Sequence, residues 1–182
     1  MKLFHLSFLL LLLAGFSSCD PDDDAMSPSD LEGSWTALTL DATSNSTVTS
    51  PNFNSVANSQ ITGSAFDYDL EFTGTEFIAG GSYTIDISTE VDGSTSSSTD
   101  SYTSVDNTGT YTVTGNEISF DGSLFSLEFN GMTVAGTGGP QTATFNVSGD
   151  ILTISQNETT ESTSGDIMTS STVVSTSTWR RN

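Results

Sequence analysis

Asp67, Asp69 and Glu71 are three acid–base groups spaced to share one face of a strand. Two carboxylates held roughly 5–10 Å apart across a cleft could hydrolyse a glycoside. These three alternate with Phe66, Tyr68, Leu70 and Phe72, which places them on the wetted side of the strand, away from any cleft. The sole histidine, His5, and the sole lysine, Lys2, lie at the extreme start of the chain. Downstream of them no Ser-His-Asp relay, histidine-ligated metal or Schiff base can be built. Asp22, Asp23 and Asp24 lack the spaced Asp/Asn-Gly-Glu pattern of a calcium loop. Gly138-Gly139-Pro140 reads as a turn, because no strand-to-helix phosphate cradle surrounds it. The expectation is a protein without catalytic residues, metal or cofactor.

Cys19 is the remaining reactive group and the only cysteine, so no intrachain disulfide can form. Lys2 precedes an apolar run from Leu3 to Phe16, and small residues lead to the cysteine. That is the plan of an export signal, and the run is shorter than the roughly 20 residues needed to span a bilayer. Ser17-Ser18-Cys19 resembles the lipobox of bacterial lipoproteins, with Phe16 where an aliphatic residue is usual. The resemblance implies cleavage before Cys19 and palmitate-type acylation of its thiol, with the membrane as partner through that lipid. Asp20-Pro21-Asp22-Asp23-Asp24 resembles the surface-export signal of Bacteroidetes-type lipoproteins. That implies an outer-membrane protein exposed at the cell surface; a periplasm-facing anchor is the alternative. The reading divides the chain into a signal peptide, 1–18, an acidic flexible tether, 19–30, and one domain, 31–182.

The charge balance narrows the partners. There are 23 Asp and Glu against 3 Lys and Arg, a net charge of −20. Nucleic acid is excluded as a partner, because binding requires basic side chains to neutralise phosphates.

The elements behind these residues have period two. Tyr83, Ile85 and Ile87 alternate with polar residues, as do Tyr111 and Val113, Ile118 and Phe120, Phe125, Leu127 and Phe129, Phe145 and Val147, and Leu152 and Ile154. Such alternation makes strands with one apolar and one polar face. Thr114-Gly115-Asn116 and Ser148-Gly149-Asp150 supply hairpin turns. Roughly one residue in three is Ser or Thr. Three stretches rich in them, 42–60, 93–100 and 158–165, read as long hairpin loops. A helical turn is expected near Pro28 to Glu32. Trp35 and Leu40 fall on opposite parities, which requires a bulge or a change of face in the first strand. Sequential hairpins with one wet face favour an all-β, antiparallel up-and-down meander of about eight strands closing into a barrel; a two-sheet sandwich is the alternative.

Gly33-Ser34-Trp35 opens the first strand and Trp179-Arg180-Arg181 closes the last. The pair resembles the lipocalin signature. The segments 109–116 and 145–154 resemble hairpins of lipocalin-like lipoproteins from Bacteroidetes-type bacteria. The resemblance implies a lipocalin-like barrel in which Arg180 or Arg181 stacks over Trp35. It also implies a small apolar ligand in the barrel mouth, lined by Phe66, Tyr68, Tyr83, Tyr111, Phe120 and Phe145. The alternative is that these six fill the barrel, leaving a structural or interaction protein of the cell surface.

Overall fold

The computed structural model describes residues 27–125, 128–129, 132–133 and 140–182. A short helix α1 (Pro28–Leu31) precedes ten strands. They are β1 (Gly33–Ser50), β2 (Phe53–Thr73), β3 (Glu76–Val91), β4 (Ser94–Thr114), β5 (Glu117–Asp121), β6 (Glu128–Phe129), β7 (Met132–Thr133), β8 (Pro140–Ser148), β9 (Ile151–Ser164) and β10 (Ile167–Arg181). Eight of them form a closed antiparallel ring in the order β1-β10-β9-β8-β5-β4-β3-β2, and β6 and β7 pair separately. Closure is made by the two ends of the chain, with Trp35 opposite Arg181 and Ala37 opposite Trp179. The sandwich alternative is thereby excluded.

The turns follow from their residues. Gly115 and Gly149 sit at φ +61° and +60°, the left-handed geometry that lets a two-residue hairpin match strand twist. Inward positions of the lower barrel are apolar, from Leu70, Phe72 and Phe77 to Ile118, Leu152 and Trp179, all fully or almost fully buried.

The three stretches expected to be loops are strands. β1 and β2 run through 42–60 to a turn at Pro51-Asn52, β3 and β4 turn at Asp92-Gly93, and β9 and β10 turn at Gly165-Asp166. Alternation is missing there because no apolar core lies beneath. β1 nevertheless has a partner on each side throughout, with Thr47 opposite Ser170 and also opposite Val56. Those two ladders satisfy the backbone, and Thr is a favoured strand residue on a solvated face. The strand expected over 125–129 is also shorter than its alternation suggests: Phe125 lies in a bend, Glu128–Phe129 is the strand, and Leu127 is outside the described residues. β5 stops at Asp121, before Gly122 at φ +144°.

The tall and short strands meet at a belt of bulges. The register slips at Leu38 in β1, beside Ala65 in β2 and beside Ser104 in β4. Of the two expected resolutions in the first strand, a bulge or a change of face, the bulge is present, and it restores the inward parity of Leu40 and Ala42. Ala65 and Ser104 take φ +50° and +56°, which costs each roughly 1–2 kcal/mol. In β3 the belt crosses Gly81 (φ +126°), where a Cβ would stand 2.0 Å from the Asp67 carbonyl oxygen. Below the belt the ring is closed. Above it β9, β10, β1, β2, β3 and β4 continue as three long hairpins, while β5 and β8 stay short.

Candidate functional site

The closed end is built around the start of the domain. Ser27 precedes α1, and its N–H donates to the Asp30 carboxylate at 2.7 Å. That bond and the Ser27 hydroxyl hold the Asp30 carboxyl below its usual pKa, with the Arg181 charge adding to the effect. Ser27 to Asp30, assigned from sequence to the tether, thus belong to a capped helical turn seated on the barrel.

A helix this short leaves its last carbonyls without partners, and the barrel supplies them. The Trp35 indole N–H donates to Leu31 O at 2.8 Å. Arg181 donates from Nη1 to Glu32 O at 2.9 Å and from Nη2 to Asp30 O at 2.7 Å. Its guanidinium carbon lies 4.1 Å from the Trp35 ring centroid, a cation–π contact of roughly 0.5–2 kcal/mol. Trp35 is fully buried. Gly33 holds φ +119°, and a Cβ there would come 3.3 Å from Arg181 Nη1, so glycine makes room for the guanidinium. Arg181 is the stacking arginine, and Arg180 is exposed on the opposite face. Ser177, Trp179 and Arg181 share one face of β10. The end is latched again on the outside, where Asn182 N donates to Ser34 O at 3.0 Å and the Thr36 hydroxyl donates to Asp69 at 2.5 Å.

The six expected ligand-lining aromatics are part of the packed interior. Tyr68 and Tyr83 meet edge to face at 4.8 Å, and Tyr83 stacks on Tyr102 at 5.0 Å. Phe66, half-buried, lies 6.4 Å from Tyr83. Tyr111 packs on Phe72 at 4.9 Å, and Phe120 on Phe77 at 5.7 Å. Phe145 is buried in the same core. Phe125 and Trp179, also outside that set, complete the cluster. Phe125 approaches Tyr68, Tyr83 and Trp179 within 5.2–5.4 Å, so the β5–β8 connection drives a ring into the barrel. The alternation over 125–129 marks Phe125 as apolar, but it points to a strand, whereas Phe125 enters the core from a bend.

Of the six, Phe120 borders an interior void of about 40 Å³, which Phe125, Ser123, Gln141, Gln156 and Ser177 also line. That volume suits water and not a ligand of drug size. Burial pushes the Tyr68 hydroxyl well above the usual tyrosine range, and it donates to Leu124 O at 2.6 Å. Burial, with Glu32 nearby, raises Tyr111 too, and among the described residues the Tyr111 hydroxyl has no hydrogen-bond partner.

Asp67, Asp69 and Glu71 are exposed on the outer wall of β2. Among the described residues no cluster of three or more metal-ligating side chains occurs. Cys19 and the acidic run 20–24 lie outside the described residues. Comparison of the chain with protein-family models, curated proteins and solved structures finds no match.

Proposed function

We propose that this protein is a lipid-anchored display module of the bacterial cell surface: a lipocalin-like barrel with a filled core that holds three long hairpins away from the membrane. One observation carries the reading. Ser27, eight residues after Cys19, joins the barrel at its closed end, and the hairpin turns at 51–52, 92–93 and 165–166 lie at the other end. A lipid on Cys19 would therefore stand the hairpins outward. β1 alone, 18 residues long, reaches about 60 Å at roughly 3.3 Å per residue. The net charge of −20 keeps the body off anionic lipid heads, which suits a tether. Anchoring by several acyl chains is firm, since each buried CH₂ contributes about 0.8 kcal/mol.

The packed aromatics favour this reading over a carrier of apolar ligands. Three measurements test it. Cys19→Ala should move the protein from the membrane to the soluble fraction, and an unchanged distribution would refute the anchor. Protease applied to intact cells should remove the hairpins; protection until the outer membrane is opened would place the protein facing the periplasm instead. Native mass spectrometry of the purified chain should show no retained lipid-like mass beyond the acyl anchor.

A further inference from the structure

The outer wall carries a groove that crosses the strands. Asp41, Thr43, Gln60, Thr62, Val174 and Thr176 are outward-facing residues on three adjacent strands, β1, β2 and β10, yet they border one concavity of about 340 Å³. On a convex barrel wall such side chains diverge. Here they converge just above the bulge belt, where inserted residues bend the strands and increase their twist. A second concavity of about 270 Å³ adjoins it across β8 and β9, bordered by Thr144, Ser155 and Asn157. The two share Val174, which is 44% exposed. Together they cross five strands, about 20 Å at the usual strand spacing.

The hydrogen bonding of the wall changes at this groove. Around it, outward side chains bond to each other across strands: Asn45 to Asn58 at 2.6 Å, Thr159 with Thr172 at 3.0 Å and Thr39 with Thr178 at 2.7 Å. Among the described residues, no side-chain hydrogen bond ties Asp41, Thr43, Gln60 or Thr62 to a neighbour. These four leave donors and acceptors unspent on the β1–β2 side of the groove, while Thr176 pairs with Ser155 at 3.3 Å on its β9–β10 side. The groove is also poor in charge for so acidic a chain: Asp41 is its one carboxylate, whereas Asp67, Asp69 and Glu71 crowd the lower part of β2.

We propose that this groove binds a neutral linear oligosaccharide. Hydroxyls and amides on the wall match a ligand that is itself donor and acceptor at every ring. Exposed Val174 offers an apolar patch to a sugar's C–H face. A cationic peptide would favour the carboxylate-rich ridge, and an anionic glycan finds no cation in the groove. The inference rests on the display reading, in which this wall stands clear of the membrane. Its test does not depend on anchoring.

The full chain, purified in detergent, is titrated by calorimetry with linear gluco-, manno- and xylo-hexasaccharides, with oligogalacturonate and with hexalysine. At least one neutral hexasaccharide should bind, oligogalacturonate should not, and Gln60→Ala and Val174→Glu should each weaken binding at least tenfold. Asp86→Ala, outside the groove, should leave it unchanged. Unfolding midpoints equal to that of the parent confirm that the variants fold; Thr43→Val replaces either one that does not. Absence of binding by all three neutral sugars, binding of hexalysine alone, or binding indifferent to the groove substitutions would overturn the proposal. Failure of Cys19→Ala to leave the membrane would instead count against the anchor.

Discussion

β1 begins in one kind of structure and ends in another. From Gly33 to Ala42 it lines a closed ring and buries Trp35, Ala37 and Leu40. From Thr43 to Ser50 it has the same pair of strand neighbours but little beneath it, and its side chains are half-exposed or exposed apart from Ser44. The upper half is laddered on both sides, and the lower half is laddered except at the bulge around Leu38, where the register with β10 and with β2 is interrupted. The lower half adds burial of large side chains, each contributing roughly 1.5–3 kcal/mol. The upper half adds cross-strand side-chain pairs, each contributing roughly 0.2–1 kcal/mol. The comparison teaches that a continuous ladder can carry a strand well beyond the core, with global stability resting on the closed end.

The largest effect should come from the closed end. Trp35→Ala removes a fully buried ring and the donor to Leu31 O, and should cost about 3–5 kcal/mol in urea unfolding. An unaltered midpoint would show that the core does not depend on this end. Arg181→Ala should come next, at roughly 1–3 kcal/mol, since it removes two charge-assisted bonds and the stacking contact. Arg180→Ala should stay within about 0.5 kcal/mol. Equal losses from the two would mean that charge, not geometry, closes the ring.

A third break uses pH. Tyr68 and Tyr111 have raised pKa values because burial disfavours their phenolates. Their contribution is intact below about pH 10, the ordinary tyrosine value, and is lost as pH rises through the raised values. Urea midpoints should therefore fall above about pH 10, and the fall should be smaller in Tyr68→Phe. The smallest effects belong to the hairpins. Asn45→Ala, which breaks the bond to Asn58, should cost about 0.2–1 kcal/mol. Amides from 43 to 50 should exchange with solvent faster than those from 33 to 42, because local opening there exposes little apolar surface. Equal protection would mean that the hairpins unfold only with the barrel.

Much of this arrangement was legible in the residues. Tyr83, Ile85 and Ile87 announced a half-buried strand by period alone, and Gly115-Asn116 and Gly149-Asp150 announced hairpins by their tolerance of positive φ. The parity conflict between Trp35 and Leu40 announced a bulge or a change of face, and the structure has the bulge, at Leu38. These signals are local, and local sterics decide them. The Ser/Thr stretches were misread because period two reports burial. A strand with two partners and no core leaves no such trace.

The sequence by itself determined the strand faces and the turns, since these follow from side-chain alternation and backbone freedom within a few residues. The tertiary structure decided which arginine covers Trp35, that helix carbonyls share that guanidinium, that Phe125 fills the barrel from a bend, and that outward residues of neighbouring strands converge above the bulges. Each depends on ring closure and register between segments as much as 151 residues apart, and no pattern within one segment encodes the position of another.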